Sequence, residues 1–402
     1  MTKKIVMLLT LFACMLTAAA DNTVSISNAF VPKGKTGNFS IDLANTDVFA
    51  SSMEVHLTFP EGITFEDVTL SSRFTDNPTI GKSINGQSII ITILSTSNAA
   101  ITGNNGPLLF ITVSADANLG VGDKLTASVT KMELAKKVGD KHEKFNPDPF
   151  NFDIEITDYV ILDENSTVAP TAQTSVNVKV KRTIKANEWS TLCLPFNMTE
   201  AQVKTVFGND VQLKEFISYD VTKEGNNVTG ITINFEDADL SDGFYGNYPY
   251  IIKTSSNITE FTLTEMDIDP DPDNAVAEYD NGKTGGKRKV YGSFIGIYQA
   301  NTVVPNNSLF LSSNKFWYSA GLTKMKAFRA YFTLNDVLTD IGSANTRVLM
   351  SFDGDITGIN DATHLNANER IMKDEGYDLQ GRKVENPSKG LYIINNKKVL
   401  VK

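Results

Sequence analysis

Apolar and polar positions alternate with a period of two through most of residues 24–156. In residues 53–59 every second residue is apolar, so one face of the predicted strand lies in a core and the other faces water. Residues 89–94 are almost continuously apolar, which predicts a strand covered on both faces. Turn residues such as Asn85-Gly86 separate these short runs. The pattern therefore predicts an antiparallel β-sandwich.

The pattern changes near Asp158, where residues 163–170 are interpreted as a polar connector. Further alternating runs follow and predict a second β-rich module. Thr199 and Gln202 fit a capping box, which satisfies free N–H groups in the first turn of a helix. Gly208 supplies the stop of this short helix.

These patterns predict an all-β protein: an antiparallel β-sandwich, a second β-rich domain and a small C-terminal β unit. The predicted parts are a signal peptide at residues 1–20, the sandwich at 21–157, a β-rich module with one short helix at 158–353, and a linker with a C-terminal β unit at 354–402. No later segment approaches ~18 unbroken apolar residues, so we expect no integral membrane segment after signal removal.

The N-terminal residues have the features of a secretory signal peptide. Lys3 and Lys4 form a basic start, residues 5–16 form a short apolar core, and residues 18–20 are alanines before the expected cleavage. An alternative is a bacterial lipobox at residues 11–14, in which Cys14 would be lipidated. Both interpretations predict an extracytoplasmic protein, in the periplasm, on the outer-membrane surface or secreted.

Two runs of the sandwich resemble a known family. Residues 31–45 (VPKGKTGNFSIDLAN) are similar to the opening of cohesin-like domains, and residues 53–65 (MEVHLTFPEGITF) are similar to the strands that follow in that family. The resemblance covers roughly residues 22–157. It implies a jelly-roll sandwich that binds a protein or glycan partner, and it does not imply an enzyme.

Two motifs of the middle module also resemble a family. Residues 189–196 (WSTLCLPF) and residues 327–332 (AFRAYF) are similar to an uncharacterised module of secreted and surface proteins of gut-type Gram-negative bacteria. That family has no assigned chemistry, so the resemblance implies a surface location and no reaction.

The last residues resemble the type IX secretion C-terminal sorting domain, which carries an Asp-Leu-x-Gly-Arg turn and a Gly-x-Tyr strand. The matching residues are Asp378, Leu379, Gly381, Arg382, Gly390 and Tyr392. The resemblance implies export to the cell surface or the medium. A small stabilising cap is the alternative, because the Pro-rich opening motif of the family is absent.

Charge and composition exclude several classes of function. The chain of 402 residues carries a formal net charge of −10, and we therefore expect no nucleic-acid partner, since phosphate binding needs a basic surface. Two cysteines and three histidines leave too few ligands for a Cys- or His-based metal site. No P-loop, dinucleotide fingerprint or Gly-x-Ser-x-Gly elbow is present, so we expect no cofactor.

Two candidate chemical sites have simpler interpretations. Asp267 and Glu278 bound an acidic stretch with the spacing of an EF-hand loop, but Pro272 occupies the position that requires glycine. We therefore expect a solvated acidic loop and no metal. Cys193 lies between two leucines, and the three histidines fall in separate segments, so we expect a buried structural thiol instead of a nucleophile.

Trp317, Tyr245 and Tyr248 are the candidate ligand-binding residues, because an exposed aromatic ring stacks on the apolar face of a sugar. Packing within a sheet is the alternative role for all three. The sequence favours a non-enzymatic binding or scaffold protein at the cell surface, with a protein or glycan partner. A glycan-binding module is the first alternative, and a glycoside hydrolase-like enzyme in the middle domain is the second.

Overall fold

The computed structural model describes residues 22–225, 227–280, 289–334, 337, 347–352 and 355–357, followed by short strands up to residue 401. The chain divides into two compact units, Met1–Thr363 and His364–Lys402. The predicted signal peptide with Cys14 lies outside the described residues, as do Asp378, Leu379, Gly381 and Arg382 of the C-terminal motif.

The first part of the larger unit is a sandwich of two sheets. One sheet has the order β1-β3-β8-β5: β1 (Thr23–Ser27), β3 (Thr36–Ala44), β8 (Pro107–Ala115) and β5 (Ile63–Leu70). The other has the order β2-β11-β9-β4-β7-β6, with β10 beside β9: β2 (Phe30–Pro32), β11 (Phe150–Thr157), β9 (Lys124–Val138), β4 (Phe49–Thr58), β7 (Ser88–Leu94), β6 (Thr79–Asn85) and β10 (Lys141–Phe145). All pairings are antiparallel except β2 with β11.

The core of the sandwich follows from the alternation of the sequence. Val55 and Leu57 of β4 point inward and are buried, whereas Glu54 and His56, which alternate with them, remain partly exposed. Each inward side chain removes apolar surface from water, worth roughly 1.5–3 kcal/mol for a fully buried aliphatic or aromatic side chain. The prediction of an all-β chain with an antiparallel sandwich is confirmed.

Residues after 158 build further sheets in the same unit. A three-stranded sheet contains β12 (Val160–Asp163), β13 (Gln173–Ile184) and β18 (Ile258–Ile268). A six-stranded sheet has the order β14 (Ser190–Leu192), β17 (Tyr250–Lys253), β15 (Gln212–Glu224), β16 (Asn227–Asp237), β26 (Arg347–Phe352) and β27 (Asp355–Thr357). A further sheet contains, in order, β19 (Val276–Asp280), β20 (Val290–Ile297), β25 (Arg329–Leu334), β22 (Ser308–Ser312) and β23 (Lys315–Ser319).

The remaining elements are short. β21 (Thr302–Val303) pairs with β24 (Lys324–Met325), and a 3-10 helix spans Leu240–Asp242. The predicted helix is confirmed as α1 (Glu200–Phe207), where Thr199 and Gln202 form the expected capping box. β28 spans Thr363–His364.

The smaller unit contains a four-stranded sheet with the order β30-β29-β31-β32. Its strands are β29 (Gly376–Tyr377), β30 (Lys383–Val384), β31 (Gly390–Ile394) and β32 (Lys397–Val401). Gly390 and Tyr392 lie in β31, which pairs antiparallel with β32.

Residues 163–170 do not form the free polar connector that their composition predicts. β12 pairs in parallel with β13 and ends at Asp163, and the next side chain, Glu164, is only 3% exposed. Val168 is buried as well. The interpretation as a connector is wrong because a partner for the Glu164 carboxylate comes from strands distant in sequence, which composition does not reveal.

Candidate functional site

The three candidate aromatic residues lie in different environments. Tyr245 is half exposed. Tyr248 packs on Tyr250 with ring centroids 5.0 Å apart and contributes to two apolar clusters. The indole N–H of Trp317 donates to the carbonyl of Ser312 at 3.2 Å, within the hairpin of β22 and β23. Tyr245 is therefore the candidate whose ring is most open to a ligand.

Tyr245 lines a cavity of about 380 Å³, here called the Tyr245 cleft. Asn197, Asp242 and Glu265 lie on its wall and offer amide and carboxylate groups. Glu265 has a φ of 56° at a bulge in β18, a left-handed conformation that is rare for glutamate. An aromatic ring beside hydrogen-bonding side chains is an arrangement suited to a sugar.

The outer surface of the larger sandwich sheet, here called the sheet face, carries ordered charges. Glu54 accepts hydrogen bonds from Lys131 at 2.7 Å and from His56 at 2.8 Å. On the same sheet Lys144 approaches Glu133 to 2.8 Å. The hydrogen bonds from Lys131 and then His56 hold the pKa of Glu54 below its ordinary value. The Lys131–Glu54 and Lys144–Glu133 contacts join neighbouring strands, and the His56–Glu54 contact lies within β4.

The buried side chain of Arg73 connects the loops at one end of the sandwich through hydrogen bonds. Its guanidinium donates to the carbonyls of Leu43 and Gly106, both at 2.8 Å, and to the side chain of Asn45 at 2.7 Å. This end borders a cleft of about 600 Å³ that also includes Asn301 of the following module. Every donor nitrogen of Arg73 has a carbonyl partner, so the residue is structural.

A second buried arginine, Arg182, lies in strand β13 of the middle module. Arg182 is fully buried and lies 3.4 Å from Glu164, measured between Nη1 and Oε2. Glu164 also accepts from Lys326 at 3.0 Å and from Arg329 at 2.8 Å. Burial opposes ionisation of Glu164, but the bond from Lys326 and the charges of Arg329 and Arg182 outweigh it, so its pKa is lowered. Burial and the nearby charge of Arg329 lower the pKa of Arg182 to about 9.

The two motifs that lie far apart in the sequence meet at this cluster. Arg182 donates to the carbonyl of Thr191 at 2.7 Å, and the Thr191 hydroxyl accepts from the backbone N–H of Ala330 at 3.0 Å. Arg182 also donates to the carbonyl of Phe328 at 3.3 Å. Residues 189–196 and 327–332 therefore form one structural unit around Arg182.

A cavity of about 270 Å³ opens beside this unit and is here called the junction cavity. Arg329 lines it from the second motif and Lys326 from the position just before that motif, and Trp189 and Ser190 line it from the first motif. The local sequence pattern did not indicate this site. The available signal was Arg182 itself, a charged residue on the otherwise apolar inward face of β13.

Cys193 lies in the first motif, and its thiol is neither exposed nor ionised at neutral pH. It is fully buried, and burial raises the pKa of its thiol to about 12. Its sulfur lies 3.5 Å from the hydroxyl of Tyr298. The thiol is therefore protonated and enclosed at neutral pH, as expected for a structural cysteine.

The acidic residues of the middle module are dispersed. Asp267 accepts from the backbone of Ser175 at 2.9 Å, and Asp271 accepts from the side chain of Asn274 at 2.7 Å. Within the described residues, no three His, Cys, Asp or Glu side chains gather in a way that would hold a metal ion. Glu215 has a raised pKa, because burial removes its carboxylate from water and the negative charge of its cross-strand neighbour Glu236 disfavours ionisation.

Comparisons with known proteins found similarity in solved structures only. No family model matches the chain, and no curated protein matches it. None of the helices in the described part has the length and apolar character needed to traverse a bilayer.

Matching solved structures include three cohesin modules. The non-cellulosomal cohesin of the archaeon Archaeoglobus fulgidus is 20% identical, with 33% of this chain and 91% of the cohesin covered and a TM-score of 0.26. The cohesin module of a family 33 glycoside hydrolase from Clostridium perfringens is 14% identical, with coverages of 34% and 96% and a TM-score of 0.28. The seventh ScaB type I cohesin of Pseudobacteroides cellulosolvens is 14% identical, with coverages of 34% and 92% and a TM-score of 0.29.

Proposed function

We propose that this protein is a non-enzymatic, extracytoplasmic binding or scaffold protein that holds a folded protein partner on the sheet face of its sandwich. The single observation that carries the proposal is the fixed array of charges around Glu54 and Glu133. Charges that are already ordered reduce the conformational entropy lost on binding, and their pattern selects the orientation of the partner.

The chemistry of the sheet face favours a protein over a sugar. The outward side chains of β4 and β7 are polar or aliphatic, and Leu94 is 58% exposed. An exposed aliphatic residue beside paired charges is typical of the mixed surfaces that proteins use to associate. Sugar recognition relies instead on aromatic rings, which these two strands do not present outward among the described side chains.

The proposal is tested by comparing single charge reversals on the chain from residue 21 to 402. The immobilised protein is exposed to extracts of the native cell surface, and captured proteins are identified and titrated. Glu133→Lys should abolish or strongly weaken capture of the specific partner. The matched control Glu61→Lys changes an exposed residue in the turn between β4 and β5 and should leave capture intact. Equal capture by both variants contradicts the sheet-face proposal.

A second function, glycan binding, has one specific observation in its favour, the Tyr245 cleft. The half-exposed ring of Tyr245 and carboxylate and amide groups line the same cavity. Binding to a glycan array that is lost in Tyr245→Ala and kept in Tyr279→Ala would support this function. Binding that is indifferent to Tyr245 would place any glycan site elsewhere.

The hydrolase alternative in the middle module has one candidate acid, Glu215. A raised pKa is a feature of general acids, but repulsion between neighbouring carboxylates on a sheet also produces it. We expect no turnover of polysaccharide substrates. Turnover that disappears in Glu215→Gln would overturn the non-enzymatic proposal.

A further inference from the structure

We infer that the junction cavity is a binding site for a small oxyanion, a carboxylate or sulfate group. This inference concerns the middle module and is independent of the sheet face of the sandwich. Three features of the junction cavity support a bound anion: an excess of positive charge, hydrogen-bond donors open to the cavity, and a strained backbone next to those donors.

The charges around the cavity do not balance within the described residues. Arg182, Lys326 and Arg329 all face the single carboxylate of Glu164. Lys185 and Glu188, which also line the cavity, approach to 3.9 Å and compensate each other. Positive charge therefore exceeds negative charge at this site, although the whole chain has a formal net charge of −10. An uncompensated charge that is partly removed from water favours a counter-ion.

Donors remain for such an anion. Among the described residues, the Arg329 side chain makes one hydrogen bond, from Nη2 to Glu164 at 2.8 Å, and a quarter of the side chain is exposed. Lys326 is half exposed and also donates only to Glu164 in this part of the chain. Ser190 accepts from Arg182 at 3.0 Å, which leaves its own proton free to donate into the cavity.

The backbone between these cations is held in an unfavourable conformation. Phe328 has a φ of 58°, which is an outlier for a bulky residue. Its carbonyl accepts from Arg182, and its N–H donates to the carbonyl of Ile297 at 2.8 Å. Lys326 and Arg329, on either side of Phe328, both line the cavity. Such strain persists where the surrounding structure over-determines it, often at functional sites.

Each residue then has a defined role. Arg329 and Lys326 contact the anion, with the planar guanidinium suited to two parallel bonds to a carboxylate or sulfate. Arg182 is a positioning residue, because it is fully enclosed and acts through Phe328 and Ser190. Glu164 holds the cations together and competes with the anion for them.

The experiment uses protein from residue 21 to 402 and three probes: sodium sulfate, sodium acetate and sodium glucuronate. Binding is followed by calorimetry and by NMR shift changes at constant ionic strength, with sodium chloride as the balancing salt. We expect saturable binding of at least one probe that weakens by about tenfold or more in Lys326→Gln and Arg329→Gln. The matched control Lys204→Gln changes an exposed lysine on α1 and should bind as the unmodified protein does. Sulfate preference indicates a tetrahedral group, and acetate or glucuronate preference indicates a carboxylate.

Glu164→Gln supplies a readout that a purely structural cluster would not give. Removing the competing carboxylate should tighten anion binding by about tenfold, and anion should raise the melting temperature of this variant more than that of the unmodified protein. Absence of saturable binding for all three probes, or equal binding by Arg329→Gln and Lys204→Gln, overturns the inference. If Glu164→Gln does not fold, the comparison of these two variants decides it.

Discussion

Glu164 is the residue on which the middle module depends most for charge balance. It is almost fully buried and contacts Arg182, Lys326 and Arg329. We predict that Glu164→Ala lowers the free energy of unfolding by about 3–5 kcal/mol, because it leaves the enclosed Arg182 without a carboxylate. Urea unfolding measures the change. Glu188→Ala removes an exposed carboxylate from the same cavity and should cost under about 1 kcal/mol. Similar losses in both variants would contradict the assigned role.

Because the pKa of Glu164 is lowered in the folded state, we predict that the stability of the protein depends on pH. The folded-state pKa of Glu164 lies below its ordinary value of 4.5, so the folded state favours the ionised form. Its contribution is therefore complete above that value and is lost as the pH falls through the lowered pKa. Stability of the unmodified protein should decline more steeply below pH ~4.5 than that of Glu164→Gln, when both are measured by urea unfolding at each pH. Parallel declines would exclude Glu164 as the source.

Cys193 gives a prediction about reactivity. Its thiol is enclosed and has a pKa raised to about 12. We expect native protein from residue 21 to 402 to resist labelling by a thiol reagent at pH 8, because the reactive form is the thiolate and this thiol is enclosed and protonated. The protein should react fully once it is unfolded in urea. Mass spectrometry measures the labelled fraction. Rapid labelling of the native protein would show that the thiol is accessible.

At the scale of single elements, β13 shows what a strand pattern can and cannot reveal. Its inward positions are Val176, Val178, Val180, Arg182 and Ile184, all buried. Strict alternation predicts the strand and its buried face. The arginine within that face is a signal for a buried ion pair, since an unpaired charge there would be too costly. The identity of the partners depends on β12 and β25, which the strand itself does not determine.

Gly296 of β20 packs directly against Cys193 of the first motif. A Cβ atom on Gly296 would overlap the sulfur of Cys193 and lie 2.9 Å from its Cβ. We predict that Gly296→Ala destabilises the protein by about 1–3 kcal/mol, measured by urea unfolding, because a close-packed core does not admit an extra methyl group. Gly81→Ala in β6 is the control, since its nearest neighbour would be 3.7 Å away. Equal stability of the two variants would show that the core around β20 can accommodate an extra methyl group.

At the scale of the whole molecule, the chain divides at residue 363 into a large and a small unit. We propose that residues 359–402, which contain the small unit, act in export or surface attachment, as their resemblance to a sorting domain implies. Deleting them in the native host should leave a folded remainder in the periplasm, because the large unit retains its sheets and cores. Fractionation with a conformational probe measures this result. An unchanged distribution of a stable truncated protein would leave only the role of a stabilising cap.

The sequence by itself determined the strands, the capped helix and the all-β class. These features are local: the alternation in β4 or the Thr199–Gln202 box is set by neighbouring residues, and burial of one face follows from it. Cys193 between two leucines was likewise recognisable as a buried thiol from its immediate surroundings.

Only the tertiary structure decided which distant segments meet. It joined residues 189–196 and 327–332 through Arg182, buried Glu164 in a segment whose composition indicated a connector, and placed Tyr245 at a cleft while Tyr248 packed inside. The physical reason is that ion pairing and cavity formation depend on separations in space. Strands adjacent in a sheet can lie more than a hundred residues apart in sequence, so no local pattern encodes those separations.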